Sequence, residues 1–127
     1  MTDETRHDRM RRGRALMNQV NPRGGEQMLR EFAGLAPDFE ELLLGFVFAD
    51  VYDRPVLSLR ERQLIRIAAL TALDAGESAA KANLSSAVNL GIPTRDIVEA
   101  LLQTLPYAGF PRVITALEYA KDVLEDR

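Results

Sequence analysis

Gln63 and Asn83 are the first side chains to question, because each is polar where the sequence sets apolar neighbours. Gln63 shares a helical face with Ile67 and Leu70, and Asn83 lies among Ala79, Ala80 and Ala87. A polar group turned into an apolar interior needs a hydrogen-bond partner. Amides donate and accept but do not exchange protons near neutral pH. The two could hold a carboxylate or a developing oxyanion, but they could not serve as general acid and base. Two readings stand open: amides satisfied by backbone, water or each other, or a pair that orients a ligand. A simple helical hairpin, at ~1.5 Å per residue, sets them some turns apart along the axis, so the spacing alone does not bring them together and a water or ligand bridge stays open.

Other candidates surround this pair. Tyr107, beside Gly109 and Pro111, falls at a helix break. Its phenol could position a substrate, but a reference pKa of about 10 makes it a reluctant base; packing in a core or interface is the other reading. Lys81 and Glu77 are close to Asn83 in sequence and could add charge to a substrate site, or simply occupy an exposed helix face. Arg62 could bind an anion or pair with a neighbouring subunit. Asp50 and Arg54 flank Tyr52 and suit a salt bridge or cap.

What is missing narrows the chemistry further. The 127-residue chain has no cysteine and one histidine, His7. That excludes a thiolate nucleophile, a redox pair, a disulfide framework and a Cys-ligated metal. There is no metal-binding spacing, phosphate loop or nucleophile–base triad, and neither metal nor cofactor is expected. The net charge of −3 argues against a nucleic-acid partner. The arginines at 6, 9, 11, 12 and 14 are diluted by Asp3, Glu4 and Asp8 and read as a solvated helix face. No apolar run reaches the roughly 18 residues of a membrane span, and the charged start lacks the core of a signal peptide. A cytoplasmic protein without a membrane partner is expected.

The elements that must position these residues are helical throughout, because the apolar period is helical and strict alternation is absent. One all-α domain of six or seven helices over residues 1–127 is expected, with residues 1–14 partly disordered. The first helix should run from Asp3 to Val20 and stop before Asn21-Pro22. Arg23-Gly24-Gly25 reads as a loop, and a second helix follows from Glu26 to Phe32. Pro37-Asp38 opens a third, carrying the apolar run Leu42 to Phe48. Ser58 and Glu61 have the spacing of a capping box for a fourth, which runs to Leu73, is apolar nearly all round and should be central. A fifth spans Glu77 to Leu90 and ends at Gly91. Thr94 should cap a sixth running to Leu105, and a last helix covers Arg112 to Leu124. So few helices leave apolar surface uncovered, which an oligomer would hide.

From Phe48 onward the chain resembles the carboxymuconolactone decarboxylase family, which includes the alkyl hydroperoxidase D-like proteins. The likeness rests on Phe48-Ala49-Asp50-Val51-Tyr52-Asp53-Arg54-Pro55, Arg62-Gln63-Leu64-Ile65, Ala87-Val88-Asn89-Leu90-Gly91-Ile92, Asp96 to Gln103, and Tyr107-Ala108-Gly109-Phe110-Pro111. Arg12-Gly13 followed by Leu16 resembles the family's opening. The resemblance implies an all-α subunit of the alkyl hydroperoxidase D-like type. It also implies a homo-oligomer, a trimer or a hexamer built as a trimer of dimers, with pockets near subunit contacts. The hydroperoxidase branch carries a Cys-x-x-Cys pair before the helix that begins near Glu77, and this chain has none. The decarboxylase branch has a His eight residues before the Gly that matches Gly91, which falls on Asn83. Its Glu follows the Arg that matches Arg62, which falls on Gln63. The interval between the two is one residue longer here.

The function expected on these grounds is decarboxylase-like. It would act on a small organic substrate (a lactone, carboxylate or polyketide-like molecule) by lyase, isomerase or cyclase chemistry without thiol or His catalysis. Gln63, Asn83 and Tyr107 would be its catalytic groups, with Arg62, Lys81 and Glu77 binding substrate. The alternative is a non-catalytic small-molecule binder or assembly member that lost the family chemistry.

Overall fold

A computed structural model describes residues 4–125 of the chain. They are helical, with no strand among the described residues. The all-α class expected for an alkyl hydroperoxidase D-like fold is what the chain adopts. It packs as two compact units, one ending at Leu57 and the other beginning at Ser58.

In the first unit, α1 spans Arg6–Val20, and the Thr5 side chain caps it by accepting from Asp8 N–H at 3.0 Å. The expected start at Asp3 lies outside the described residues. Asn21 performs two tasks: its N–H donates to the Met17 carbonyl at 2.7 Å and closes α1, while its Oδ1 accepts from Gly24 N–H at 3.1 Å and opens the next helix. The loop expected at Arg23-Gly24-Gly25 is therefore the first turn of α2, Pro22–Phe32, with proline at a first-turn position where no N–H is missed. A short α3, Phe39–Glu41, runs directly into a π-helix over Leu42–Tyr52. At its end the Asp53 N–H reaches back five residues to the Phe48 carbonyl at 3.0 Å.

The π-helix packs on α1. Gly13 makes this possible: a Cβ there would lie 1.9 Å from the Leu44 carbonyl oxygen. The arginines of α1 lie on the solvated face expected of them, and there they pair with carboxylates. Arg6 pairs with Glu41 at 2.7 Å, Arg9 with Asp50 at 2.6 Å, and Arg12 with Asp53 at 2.6 Å and Glu4 at 2.8 Å. Arg14 pairs with Glu26 and Glu40. The Arg9 hydrogen bond holds the Asp50 carboxyl below its ordinary pKa, and the Arg12 hydrogen bond does the same for Glu4.

The second unit starts with the capping box read from the sequence. Glu61 N–H donates to Ser58 Oγ at 3.0 Å, and Ser58 N–H donates to Glu61 Oε1 at 2.8 Å. The box starts α4, Leu59–Leu73. A turn through Asp74 and Gly76 leads to α5, Glu77–Asn89. Then come α6 (Thr94–Gln103), the single turn α7 (Leu105–Ala108) and α8 (Phe110–Glu125). Thr94 is the first residue of α6 rather than its cap; Pro93, in extended backbone, holds that place without a side-chain acceptor. The core joins Ile67, Leu84, Ile97, Leu101, Ala116 and Ala120. Helix α4 is not buried all round: Gln63 and Ile67 face inward, whereas Ile65 and Leu73 are exposed. No helix among the described residues is long and apolar enough to cross a membrane.

Candidate functional site

Helix α4 turns Gln63 toward α5, and α5 turns Asn83 toward α4. The two meet directly. Gln63 Nε2 donates to Asn83 Oδ1 at 2.7 Å and to the Asn83 backbone carbonyl at 2.9 Å. The separation of some turns that a simple hairpin would give is thus corrected, and of the partners left open it is the other amide and its backbone that Gln63 finds: the helices pack so that these two positions are level. Both are buried, Gln63 at 0% and Asn83 at 2% exposure. The backbone carbonyl can only accept, so Nε2 must face it, and this fixes which way the Gln63 amide points. Gln63 Oε1 is left buried without a protein partner among the described residues.

A cavity of about 30 Å³ adjoins the pair. Ile67, Leu84 and Leu101 wall it, and Asn83, Arg112 and Tyr119 bring polar groups to it. That volume suits one or two waters or a single functional group, far below the several hundred Å³ that would enclose a whole organic ligand. The oxygen of Asn83 is engaged by Gln63, so what Asn83 can offer to a molecule in the cavity is its Nδ2 donor pair.

The remaining sequence candidates lie elsewhere. Tyr107 is 83% exposed and does not line the cavity. Lys81 bridges Glu77 at 3.1 Å and Asp122 at 3.2 Å, a surface triad linking α5 to α8. The hydrogen bond from Lys81 to Glu77, and then that to Asp122, raise the Lys81 pKa, which leaves a fully charged ammonium and no base. Arg62 is half-buried on α4 and also lies off the cavity lining. The cation that does line the cavity is Arg112, which sequence reasoning treated only as the start of the last helix. Its guanidinium donates to the Ala72 carbonyl near the end of α4, a contact made across 40 residues of sequence. No local spacing announces it.

Residues 37–122 match the model of the carboxymuconolactone decarboxylase family. The chain belongs to this family. Over 89 residues it is 32% identical to a 4-carboxymuconolactone decarboxylase of Acinetobacter baylyi, an alignment that takes in 70% of this chain and 66% of that protein. The chain thus spans just under two thirds of the relative's length. The carboxymuconolactone decarboxylase match includes Gln63, Asn83 and Arg112, so the amide pair and its cavity lie wholly within the family region.

Proposed function

We propose that this chain is a decarboxylase-like enzyme that uses the Asn83 cavity to hold one functional group of a small organic substrate, a lactone, carboxylate or polyketide-like molecule. The reaction is of the lyase, isomerase or cyclase class and proceeds without thiol or His catalysis. The observation that carries this reading is the 2.7 Å contact between two buried amides beside a cavity. Asn83 Nδ2 donates to a substrate carbonyl and strengthens that bond as the oxygen gains charge. Gln63 is a positioning residue, because its Nε2 locks the Asn83 rotamer. Neither amide moves a proton, so rate enhancement comes from orientation and oxyanion stabilisation. Tyr107, Phe110 and Phe46 are exposed apolar side chains, which supports a homo-oligomer, a trimer or a trimer of dimers, with Tyr107 at a subunit contact. We take residues 1–127 as one family domain acting in the cytoplasm.

A second reading, a binder without catalysis, is favoured by the direct bond between the two amides, neither of which can move a proton. Turnover separates the two. The purified protein is incubated with 4-carboxymuconolactone and with fractionated cell extract, and consumption is followed by mass spectrometry. Consumption that falls at least tenfold in Asn83→Ala supports the enzyme; retention without consumption supports the binder. The paired variant Gln63→Glu with Asn83→His tests the geometry from the other side. A carboxyl and an imidazole at this contact form a proton-exchanging pair, and gain of lactone decarboxylation is expected.

A further inference from the structure

We infer that Arg12 is a winding switch: by holding the Ala49 carbonyl and Asp53 together it keeps residues 42–52 in the π winding, and its release lets them convert to an α-helix that shows a different face to solvent. The device lies wholly within the first unit. An uninterrupted π-helix of 11 residues is unusual, since this winding occurs mostly as single-turn bulges, frequently at functional sites. The deciding contact is at its end. In an α-helix the Asp53 N–H would donate to the Ala49 carbonyl, four residues back. Here that carbonyl accepts from Arg12 Nη1 at 2.7 Å, and the Asp53 N–H goes one residue further, to the Phe48 carbonyl, at 3.0 Å. The same Nη1 donates to Asp53 Oδ2 at 2.6 Å, while Glu4 holds Nε and Nη2 at 2.8 and 2.9 Å. The fork of one guanidinium thus engages the α acceptor and fixes the residue that would use it.

Arg9 fits the wider spacing as well. Its guanidinium lies over Gly45, where a Cβ would stand 2.7 Å from Nη1, and it pairs with Asp50 at 2.6 Å. Five residues make about one turn when the bonds run i→i+5, which brings Gly45 and Asp50 to one guanidinium. At the ~3.6 residues per turn of an α-helix they would point well apart. The winding also decides what faces outward. Leu42, Phe46 and Val51 form an exposed apolar stripe, and its ends are nine residues apart. That is about two turns in the π winding and about two and a half in the α winding. Leu42 and Asp53, two residues further apart, show the reverse: about two and a half turns in π and about three in α. Conversion therefore carries Val51 inward toward α1 and brings Asp53 outward beside Leu42, so a carboxylate replaces part of the stripe. Two packings of one sequence can lie close in free energy, and a single set of end contacts is then enough to choose between them.

The test reads the backbone bonds directly, from NMR scalar couplings across N–H···O=C in the isotope-labelled full-length protein. The native chain should couple the Asp53 N–H to the Phe48 carbonyl carbon. In Arg12→Met, which keeps the stem and loses the donors, that coupling should disappear and one to the Ala49 carbonyl carbon should replace it. The Val51 methyl signals, broadened by a soluble gadolinium chelate in the native protein, should become protected. Arg12→Lys, a point charge in place of a fork, should show both couplings, each weakened. Circular dichroism establishes that each variant is folded. If Arg12→Met keeps the Phe48 coupling, or loses it without gaining the one to Ala49, Arg12 does not choose between two windings and the inference is overturned. If Arg12→Met does not fold, Arg12→Lys decides: a Phe48 coupling at native strength overturns the inference, and the appearance of the Ala49 coupling supports it.

Discussion

In the first unit charge lies at the surface and ties one helix to another, whereas the second unit buries a neutral amide pair. Arg6, Arg9, Arg12 and Arg14 reach from α1 to carboxylates on the neighbouring helices and on the chain before α1. Gln63 and Asn83 join α4 to α5 without any charge. Each solution suits its surroundings. Partly exposed ion pairs keep most of their hydration, so they cost little to form and contribute little each. A charge in the dry space between α4 and α5 would be heavily penalised, and an amide satisfies the same contact at much lower cost. The contrast teaches that this chain joins α4 to α5 inside through neutral polar groups and keeps the ion pairs of its first unit at the surface.

The contrast can be broken most directly by putting a charge where the amide is. Gln63→Glu alone sets a carboxyl against two acceptors, Asn83 Oδ1 and the Asn83 carbonyl, so the protonated form is favoured and its folded pKa rises. Between the unfolded value of about 4.3 and the raised folded value, only the native state keeps the proton. Stability therefore falls as pH rises from about 5, by about 1.4 kcal/mol per unit until the raised folded value is passed. Urea titrations across that range measure it; a flat profile would show that the site is wetter than its burial implies.

Gly13→Ala asks whether packing or charge holds α1. The new Cβ would meet the Leu44 carbonyl at 1.9 Å, so the helices must separate despite intact ion pairs. A loss of about 3 kcal/mol is expected, as for overpacked interiors. Thermal unfolding followed by circular dichroism reads it, and a loss near zero would assign the attachment to the arginines. Gln63→Leu leaves the acceptors of Asn83 without their donor and should cost about 2 kcal/mol. Adding Asn83→Leu removes the orphaned Oδ1 and should recover much of that, as a double-mutant cycle would show.

The smallest effect belongs to the exposed pairs. Asp50 and Glu4 have lowered folded pKa values, so the stability they add is complete above the ordinary carboxylate range and drains as pH falls through the lowered values. Arg9→Gln should therefore destabilise slightly at pH 7. The difference from the native chain should vanish in strong acid and shrink in 1 M salt. This pH dependence is opposite in sign to that of Gln63→Glu, so a single set of titrations tests both halves of the comparison.

Local signals carried most of the fold. Ser58 and Glu61 announced α4 because a capping box is complete within four residues, and Gly91, at φ +78°, ended α5 as its type demands. Asn21 misled because a single residue closes one helix and opens another, so a stop signal concealed a start. The π-helix over Leu42–Tyr52 was legible as an apolar helix but not as a widened one, since an unbroken apolar run has no period that tells the two windings apart. Gln63 and Asn83 stood out as polar residues on apolar faces, yet their contact depends on how two helices align. Arg112 was invisible for the same reason: its partner is Ala72, 40 residues earlier.

The lone carbonyl of Gln63 has a use beyond stability. A C=O group without a hydrogen-bond donor vibrates at higher frequency than one that has accepted a proton donor. Gln63 Oε1 is bonded to the same amide whose nitrogen holds Asn83, so it sits one side chain away from the cavity. Carbon-13 labelling of that single side chain would turn it into an infrared gauge inside the protein. Its band would drop when a hydrogen-bond donor such as water reaches Oε1 and climb back when it leaves, reporting hydration beside the amide pair without any added dye.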